Sequence, residues 1–339
     1  MRVLFIGGQK RGFQTIERLL DLGADFAGII SLEQDAHEHE RFETPIRELA
    51  EAHRIPIHQT KWMKDRDYAA IVRDWAPDVA FLVGVRILIP PAIYTIPPRG
   101  ALAVHPSLLP DYRGFAPVNW AIINGETELG ITLFYLDEGT DSGPILGQKT
   151  VPIGPDDDAA QVWDRACAAT VELIAEQYPR LAANVAQPQP QDEARATYAC
   201  SRTPVDGMID WSRPTHEIYN LIRGLAFPYP GAHTHFDNEP LTVWQARPVE
   251  PPPAYVGRIP GRVVGFSREV GHVDVLTGDG VLRLLRVQTA DGPAVPPADL
   301  IHSVKVRLGL SVAELWSTLR ALQRELAGRN ASDDNPRNE

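Results

Sequence analysis

Four short segments are apolar at nearly every position: RVLFIGG (2–8), FAGIIS (26–31), DVAFLVG (78–84) and ALAVH (101–105). A strand with one wet face alternates apolar and polar residues, whereas a strand covered on both faces does not. Between these runs lie FQTIERLLDLG (13–23), PIRELAEAH (45–53) and YAAIVRDWA (68–76), whose apolar residues recur every three or four positions. Each predicts a helix with one face to bury. Strand and helix in alternation predict an α/β fold, a parallel sheet with helices on both faces. GITLFYL (130–136) and KTVPI (149–153) extend the sheet, and 157–181 reads as a long helix opened by aspartates.

The pattern then changes. Residues 183–204 (ANVAQPQPQDEARATYACSRTP) are rich in proline, glutamine and charge, which predicts a linker. A helix over 215–225 and a PYPG turn at 228–231 follow. LTVWQARPV, GRVVGF, HVDVLTGDG and VLRLLRVQT then read as strands joined by tight turns, with GDG (278–280) suited to a hairpin. They predict a small β-barrel or half-barrel, closed by a helix near 311–327. At 339 residues the chain has room for two domains. The expected division is an α/β catalytic domain over 1–185, a linker over 186–208, a β domain over 209–328 and a disordered tail over 329–339.

Charge narrows the partners. Thirty-three basic residues against 44 acidic ones give a net charge of −11, which weakens a nucleic-acid reading while leaving room for a local basic patch. Between 257 and 310 seven Lys/Arg face five Asp/Glu, a margin of two and a thin basis for gripping RNA. No run reaches the roughly 18 apolar residues of a membrane span. The opening residues have the wrong order for a secretory signal, so a cytoplasmic protein without a membrane partner is expected. Cys167 and Cys200 form neither a disulfide framework nor a CxxC pair and read as core thiols.

Two loops carry candidate chemistry. His105 ends a strand expected at the centre of the sheet, where open α/β sheets bind their ligands. The PSLLP that follows it is stiff and apolar, unlike an ordinary surface loop. Arg113 and Gly114 then offer a cation and a permissive backbone position for a phosphate or carboxylate. DEGTDSG (137–143) places three carboxylates after another strand. It lacks the further ligands of a calcium loop, and one carboxylate beside His105 makes a proton-transfer pair. In such a pair the acid steadies the imidazolium and the histidine answers developing negative charge. GGQKRG (7–12) fails the dinucleotide pattern because Gln9 stands where glycine is needed, and it reads as a tight turn.

The stretch GALAVHPSLLPDYRGFAPVNWAIINGETELGITLFYLDEGTDSGPIL (100–146) resembles the core of the N10-formyltetrahydrofolate-dependent formyltransferases. This family acts on methionyl-tRNA, glycinamide ribonucleotide and amino-sugar nucleotides, and the resemblance spans roughly the first 310 residues. It implies a Rossmann-like domain followed by an OB-like β-barrel. It implies N10-formyltetrahydrofolate as co-substrate and no metal. The family's histidine falls on His105 and its aspartate on Asp141. Its asparagine, which orients the formyl carbonyl and stabilises the oxyanion, falls on Ala103. An alanine there fits an inactivated variant of an enzyme, a homologue using another donor such as Asn119, or a protein that binds without turnover. The folate is expected beside Arg86, Ile87, Leu88 and Ile89 and the loop holding Asp137, Gly139 and Asp141.

SRTPVDGMIDWSRPTHEIYNLIRGLAFPYPGAHTHF (201–236) resembles the branch acting on 4-amino-4-deoxyarabinose nucleotide, since it has the RTP-x-DG form. The expected acceptor is therefore the primary amine of a nucleotide-linked amino sugar. Ser107, Tyr112, Arg113, Gly114, Asn119 and Arg202 are the candidate acceptor contacts, the two arginines for a diphosphate. Trp120 is read as core. Methionyl-tRNA formyl transfer is the alternative, followed by a formyltetrahydrofolate hydrolase and a non-catalytic homologue. A homodimer is compatible with these readings.

Overall fold

The computed structural model describes residues 1–34, 41–63, 66–310, 312, 315–317 and 319–324. The chain divides into two compact units, Met1–Thr203 with Arg223–Pro230, and Pro204–Ile222 with Gly231–Glu339.

The first unit runs β1 (Arg2–Gly7), α1 (Gln9–Asp21), β2 (Asp25–Leu32), α2 (Glu43–Ala52), β3 (Ile57–Thr60), α3 (Tyr68–Trp75), β4 (Val79–Val83), α4 (Pro91–Tyr94) and β5 (Ala101–His105). It continues through β6 (Arg113–Gly114), α5 (Pro117–Ile123), β7 (Glu128–Tyr135), β8 (Ile145–Pro152), α6 (Ala159–Ala182) and β9 (Tyr198–Ala199). Seven strands form one sheet in the order β3-β2-β1-β4-β5-β7-β8. The first five are parallel, β7 runs antiparallel to β5, and β8 runs antiparallel to β7.

The unbroken apolar runs are explained by the two cores. Val3, Phe5, Val79, Phe81, Leu102 and Val104 belong to one, packed with α1, α2, α5 and α6. Their neighbours Leu4, Ile6, Ala80, Leu82 and Ala101 belong to the other, with residues of α3 and α4. Successive residues of one strand feed opposite faces, so each position must be apolar. β3 carries no such run because it is a short edge strand, half-buried except at Thr60. The glycine pair after β1 is a packing requirement: a Cβ on Gly7 would lie 1.8 Å from the Val83 carbonyl oxygen. That supports a tight turn over a dinucleotide loop.

The segment read as a linker is structured. Gln189 bridges Ile145, and β9 pairs with β6 to make a separate two-stranded ladder. Gln191 and Glu193 hydrogen-bond Arg113, and Gln191 also reaches the Asp141 and Gly143 carbonyls. Cys167 is buried as expected, but Cys200 is exposed, so it is not a core thiol.

In the second unit, β10 (Ala232–Phe236), β11 (Glu239–Pro248), β12 (Val263–Ser267), β13 (His272–Leu276), β14 (Val281–Thr289) and β15 (Ala294–Val295) form an antiparallel sheet. α7 (Thr215–Gly224) precedes it and straddles the division between the units. Residues 312, 315–317 and 319–324 are helical; the rest of the helix expected near 311–327, and the expected tail, lie outside the described residues. Among the described residues no helix is long and apolar enough to cross a membrane.

Candidate functional site

β5 lies between β4 and β7, and its alternation sorts its side chains. Leu102 and Val104 enter the core beneath α5 and α6. Ala103 points the other way, half-buried against the second core alongside Val85, Ile87, Ile89 and Leu136. His105, two residues on, shares that side by the period of the strand.

His105 is buried, with 6% of its surface exposed. Its Nε2 lies 2.8 Å from the Tyr112 carbonyl oxygen, which can only accept, so Nε2 carries the proton. Nδ1 therefore faces the Asp141 carboxylate, 3.5 Å from Oδ2. Burial pushes the imidazole pKa below its ordinary value, while Asp141 and the Tyr112 carbonyl pull it upward. Asp141 adopts a left-handed conformation, φ +51°, and its Oδ2 accepts the Gly114 N–H at 2.9 Å. Tyr112, whose carbonyl holds the histidine, is also left-handed at φ +58°. Two loops thus bring an acceptor nitrogen and a carboxylate together over one proton position. That geometry suits moving a proton between them.

The expectation that His105 itself answers an oxyanion is corrected by its bonding. Both ring nitrogens face groups of the chain, one the Tyr112 carbonyl and one Asp141. Ala103 supplies no donor, and Asn119 does not replace it. The Asn119 side chain is buried, and its amide donates to the Gly224 carbonyl at 2.7 Å.

Arg113 is corrected too. Its side chain is 1% exposed, and its donors are taken by Glu193 at 2.7 and 2.8 Å, Gln191 at 2.8 and 3.2 Å, and the Tyr198 hydroxyl at 3.3 Å. The paired carboxylate raises the guanidinium pKa, and the guanidinium lowers that of Glu193. A guanidinium satisfied in this way holds the fold and has no fork left for a ligand. Ser107 is likewise spent inside its turn, its hydroxyl donating to the Asp111 carbonyl at 2.6 Å.

Tyr112, by contrast, sends its ring outward to line a cavity of about 630 Å³ with Asp111, Trp120, Glu126 and Tyr198. Its hydroxyl donates to Glu126 at 2.6 Å and accepts from Asn124 at 3.1 Å. Trp120 is not core: it borders this cavity, and its ring N–H donates to the Cys200 carbonyl at 2.8 Å. The Arg202 guanidinium stacks 4.5 Å above the same ring. Among the candidate folate contacts, Leu88 is 96% exposed, and Arg86 is exposed beside half-buried Ile87 and Ile89. Asp137, exposed, closes its own loop by accepting from the Gly139 N–H at 3.0 Å and the Ser142 hydroxyl at 2.7 Å. Gly139 fits that turn because a Cβ there would meet the Ser142 Oγ at 2.0 Å.

Sequence reasoning missed Gln191, Glu193 and Thr197. The amide of Gln191 donates to the Asp141 and Gly143 carbonyls at 2.8 and 2.7 Å while its oxygen accepts from Arg113. Thr197 Oγ1 accepts the Tyr112 N–H at 2.8 Å. The available signal was Arg113 itself, since a buried arginine requires a carboxylate somewhere in the chain.

Residues 1–177 match the family model described as formyl transferase, and residues 202–305 match its C-terminal domain. A methionyl-tRNA formyltransferase from Pelobacter propionicus is 33% identical over 309 residues, covering 91% of this chain and 94% of the relative. One from Chloroflexus aurantiacus is 35% identical over 314 residues, covering 91% and 100%. Among solved structures, the sugar 3N-formyltransferase WlaRD, crystallised in the presence of dTDP and 5-N-formyl-THF, superposes with a TM-score of 0.63. It covers 86% of this chain and 99% of its own at 17% identity, a likeness of fold. The full-length relatives overturn the amino-sugar-nucleotide expectation, which rested on segments of the second half and on the charge balance. With two family models in succession and relatives aligned along nine-tenths of its length, the chain belongs to the formyltransferase family.

Proposed function

We propose that this chain transfers the formyl group of N10-formyltetrahydrofolate to the amine of methionyl-tRNA. The observation that carries the reading is buried His105 at the end of β5 facing half-buried Asp141, in a chain whose full-length relatives are named for that reaction. Ala103, Ile87, Ile89 and Leu136 form a partly open apolar wall beside it, suited to a flat pterin ring.

The amine nitrogen attacks the formyl carbon and the carbon–N10 bond breaks. The attacking amine must shed a proton and the folate nitrogen must gain one. Asp141 accepts the first, and the Nδ1 position it shares with His105 stores it for return to the leaving nitrogen. Nothing at position 103 donates to the tetrahedral oxyanion, so the reaction is slow relative to an asparagine-bearing site. For the tRNA, the second unit offers Arg262, Lys305 and Arg307. The backbone bonds Val263 N–H to Val306 and Leu308 N–H to Gly261 bring these cations together. Phosphates need such a cluster more than a positive total.

The test mixes the chain with N10-formyltetrahydrofolate and charged methionyl-tRNA and measures formylmethionyl-tRNA. Product that depends on both substrates is expected. Folate deformylation at the same rate without tRNA would mark a hydrolase. Binding of both substrates with no turnover, also after Ala103→Asn, would mark a non-catalytic homologue.

A further inference from the structure

We infer that Gln191 positions the carboxylate of Asp141 against His105, with Arg113 and Glu193 holding the glutamine in place. Only the kinetic arm of this inference rests on the formyl-transfer reading.

Asp141 sits in a left-handed conformation, uncommon outside glycine although aspartate tolerates it, and the surrounding bonds hold it there. The Gly114 N–H holds its carboxylate at 2.9 Å, and one side chain holds its backbone. Gln191 Nε2 donates to the carbonyls of both Asp141 and Gly143, at 2.8 and 2.7 Å, and so clips the loop across two residues. An amide can do this only if its plane is fixed. Arg113 fixes it, donating to Gln191 Oε1 from two nitrogens at 2.8 and 3.2 Å. The bidentate Glu193 carboxylate then fixes Arg113. The chain of contacts therefore runs Glu193–Arg113–Gln191–Asp141, and ends 3.5 Å from the His105 ring.

The same stretch of chain governs the other half of the pair. Thr197 Oγ1 accepts the N–H of Tyr112, whose carbonyl holds His105 Nε2. Thr197 also donates its own N–H to the Pro110 carbonyl at 3.2 Å. Residues 189–199 thus grip both loops, and their register against β6 sets how far the carboxylate stands from the ring. A generic structural contact would tie one loop to the body. This one ties together the two loops that must meet.

Gln191→Glu isolates the role. It keeps an oxygen for Arg113 and the side-chain shape, but replaces two donors with an oxygen facing two carbonyl oxygens. The 141–143 loop is pushed off, and the carboxylate that raises the His105 pKa moves away. The His105 imidazole is titrated by NMR in the parent chain, in Gln191→Glu and in Asp141→Asn. The expected result is that the glutamate variant moves His105 downward from the parent toward the Asp141→Asn value. Single-turnover formylation should fall about 10–100-fold, because a misplacement of about 1 Å costs that order, with folate and tRNA affinities within about twofold. Should Gln191→Glu fail to fold, Gln191→Asn supplies the same readouts with the amide retracted by one methylene. A parent-like His105 titration, or a formylation rate within about twofold of the parent, overturns the inference. A parent chain that forms no product overturns the formyl-transfer reading instead, and the titration still decides the role of Gln191.

Discussion

Ala103→Asn adds one amide at the mouth of β5, on the side of the strand that carries His105. The backbone there is pinned by pairing to Leu82 on one side and Phe134 on the other, so the new side chain must project where the alanine methyl does. The position is half-buried, which leaves room for a polar head at the rim. What the amide is worth depends on whether another group already does its work. His105 donates to Tyr112 and faces Asp141, and Asn119 donates to Gly224. Both side chains are engaged with other groups of the chain, so the gain approaches that of a whole oxyanion donor, about 10²–10³ in rate or roughly 3–4 kcal/mol of barrier. Asparagine is a poorer strand former than alanine, but the scale spans only about 1 kcal/mol, so the fold survives. Single-turnover formylation of methionyl-tRNA at saturating folate is the assay. The rate constant should rise by at least about tenfold with little change in KM, since a group that acts on the transition state leaves ground-state binding alone. An unchanged rate in a variant with parent-like Tm would refute the reasoning.

Four further outcomes follow from the geometry. Burial lowers the His105 pKa from 6.5, so below that value the unfolded chain binds a proton that the folded chain refuses, and stability falls from pH 6.5 down to the folded pKa. The loss of Tm between pH 7.5 and 5.5 should be smaller in His105→Gln than in the parent; equal losses would contradict it. Arg113→Met should lower the formylation rate about tenfold or more through loop misplacement while leaving tRNA affinity within about twofold. A large loss of affinity would restore Arg113 as a ligand contact. Lys305→Ala with Arg307→Ala should weaken tRNA binding and reduce the slope of log K against log salt by about 0.7–0.9 for each phosphate left without its cation. An unaltered slope would remove this edge from the interface. Gly114→Ala should destabilise the chain by about 1–3 kcal/mol, measured by denaturant unfolding, because φ is +99° and a Cβ would lie 2.8 Å from the Ala199 carbonyl oxygen. A neutral result would mean the β6–β9 ladder yields freely.

The sheet was legible because its strands are buried on both faces, and continuous apolar runs leave few alternatives. His105 was legible because it ends such a run, whereas Asp141 was singled out from the three carboxylates of its loop only by the family resemblance. What failed was residues 186–203. Proline, glutamine and charge are the composition of a solvated linker and also of a segment in which Gln191, Glu193 and Thr197 hold one buried arginine and two loops. Composition cannot separate these, because hydrogen bonds to water and to protein use the same groups. Arg113 shows the same ambiguity from the other side. From sequence an arginine beside a glycine in a site loop is an anion contact, and only the carboxylate 80 residues away decides otherwise.

The acceptor was misread for a different physical reason. Net charge is a sum over the whole chain, whereas phosphates respond to the field within a Debye length of about 8 Å at physiological ionic strength. The −11 total is therefore compatible with a basic edge if the acidic residues lie elsewhere. Arg262 lies more than 40 residues before Lys305 and Arg307, and the ladder that joins them is invisible to any window along the sequence. A margin of two over 54 residues, spread evenly, would grip nothing; three of the seven cations meet at one backbone pairing, which can give adjacent phosphates adjacent cations. Steering of a polyanion is thus set by topology after folding, and the salt dependence of the Lys305 and Arg307 variants measures that gathering directly.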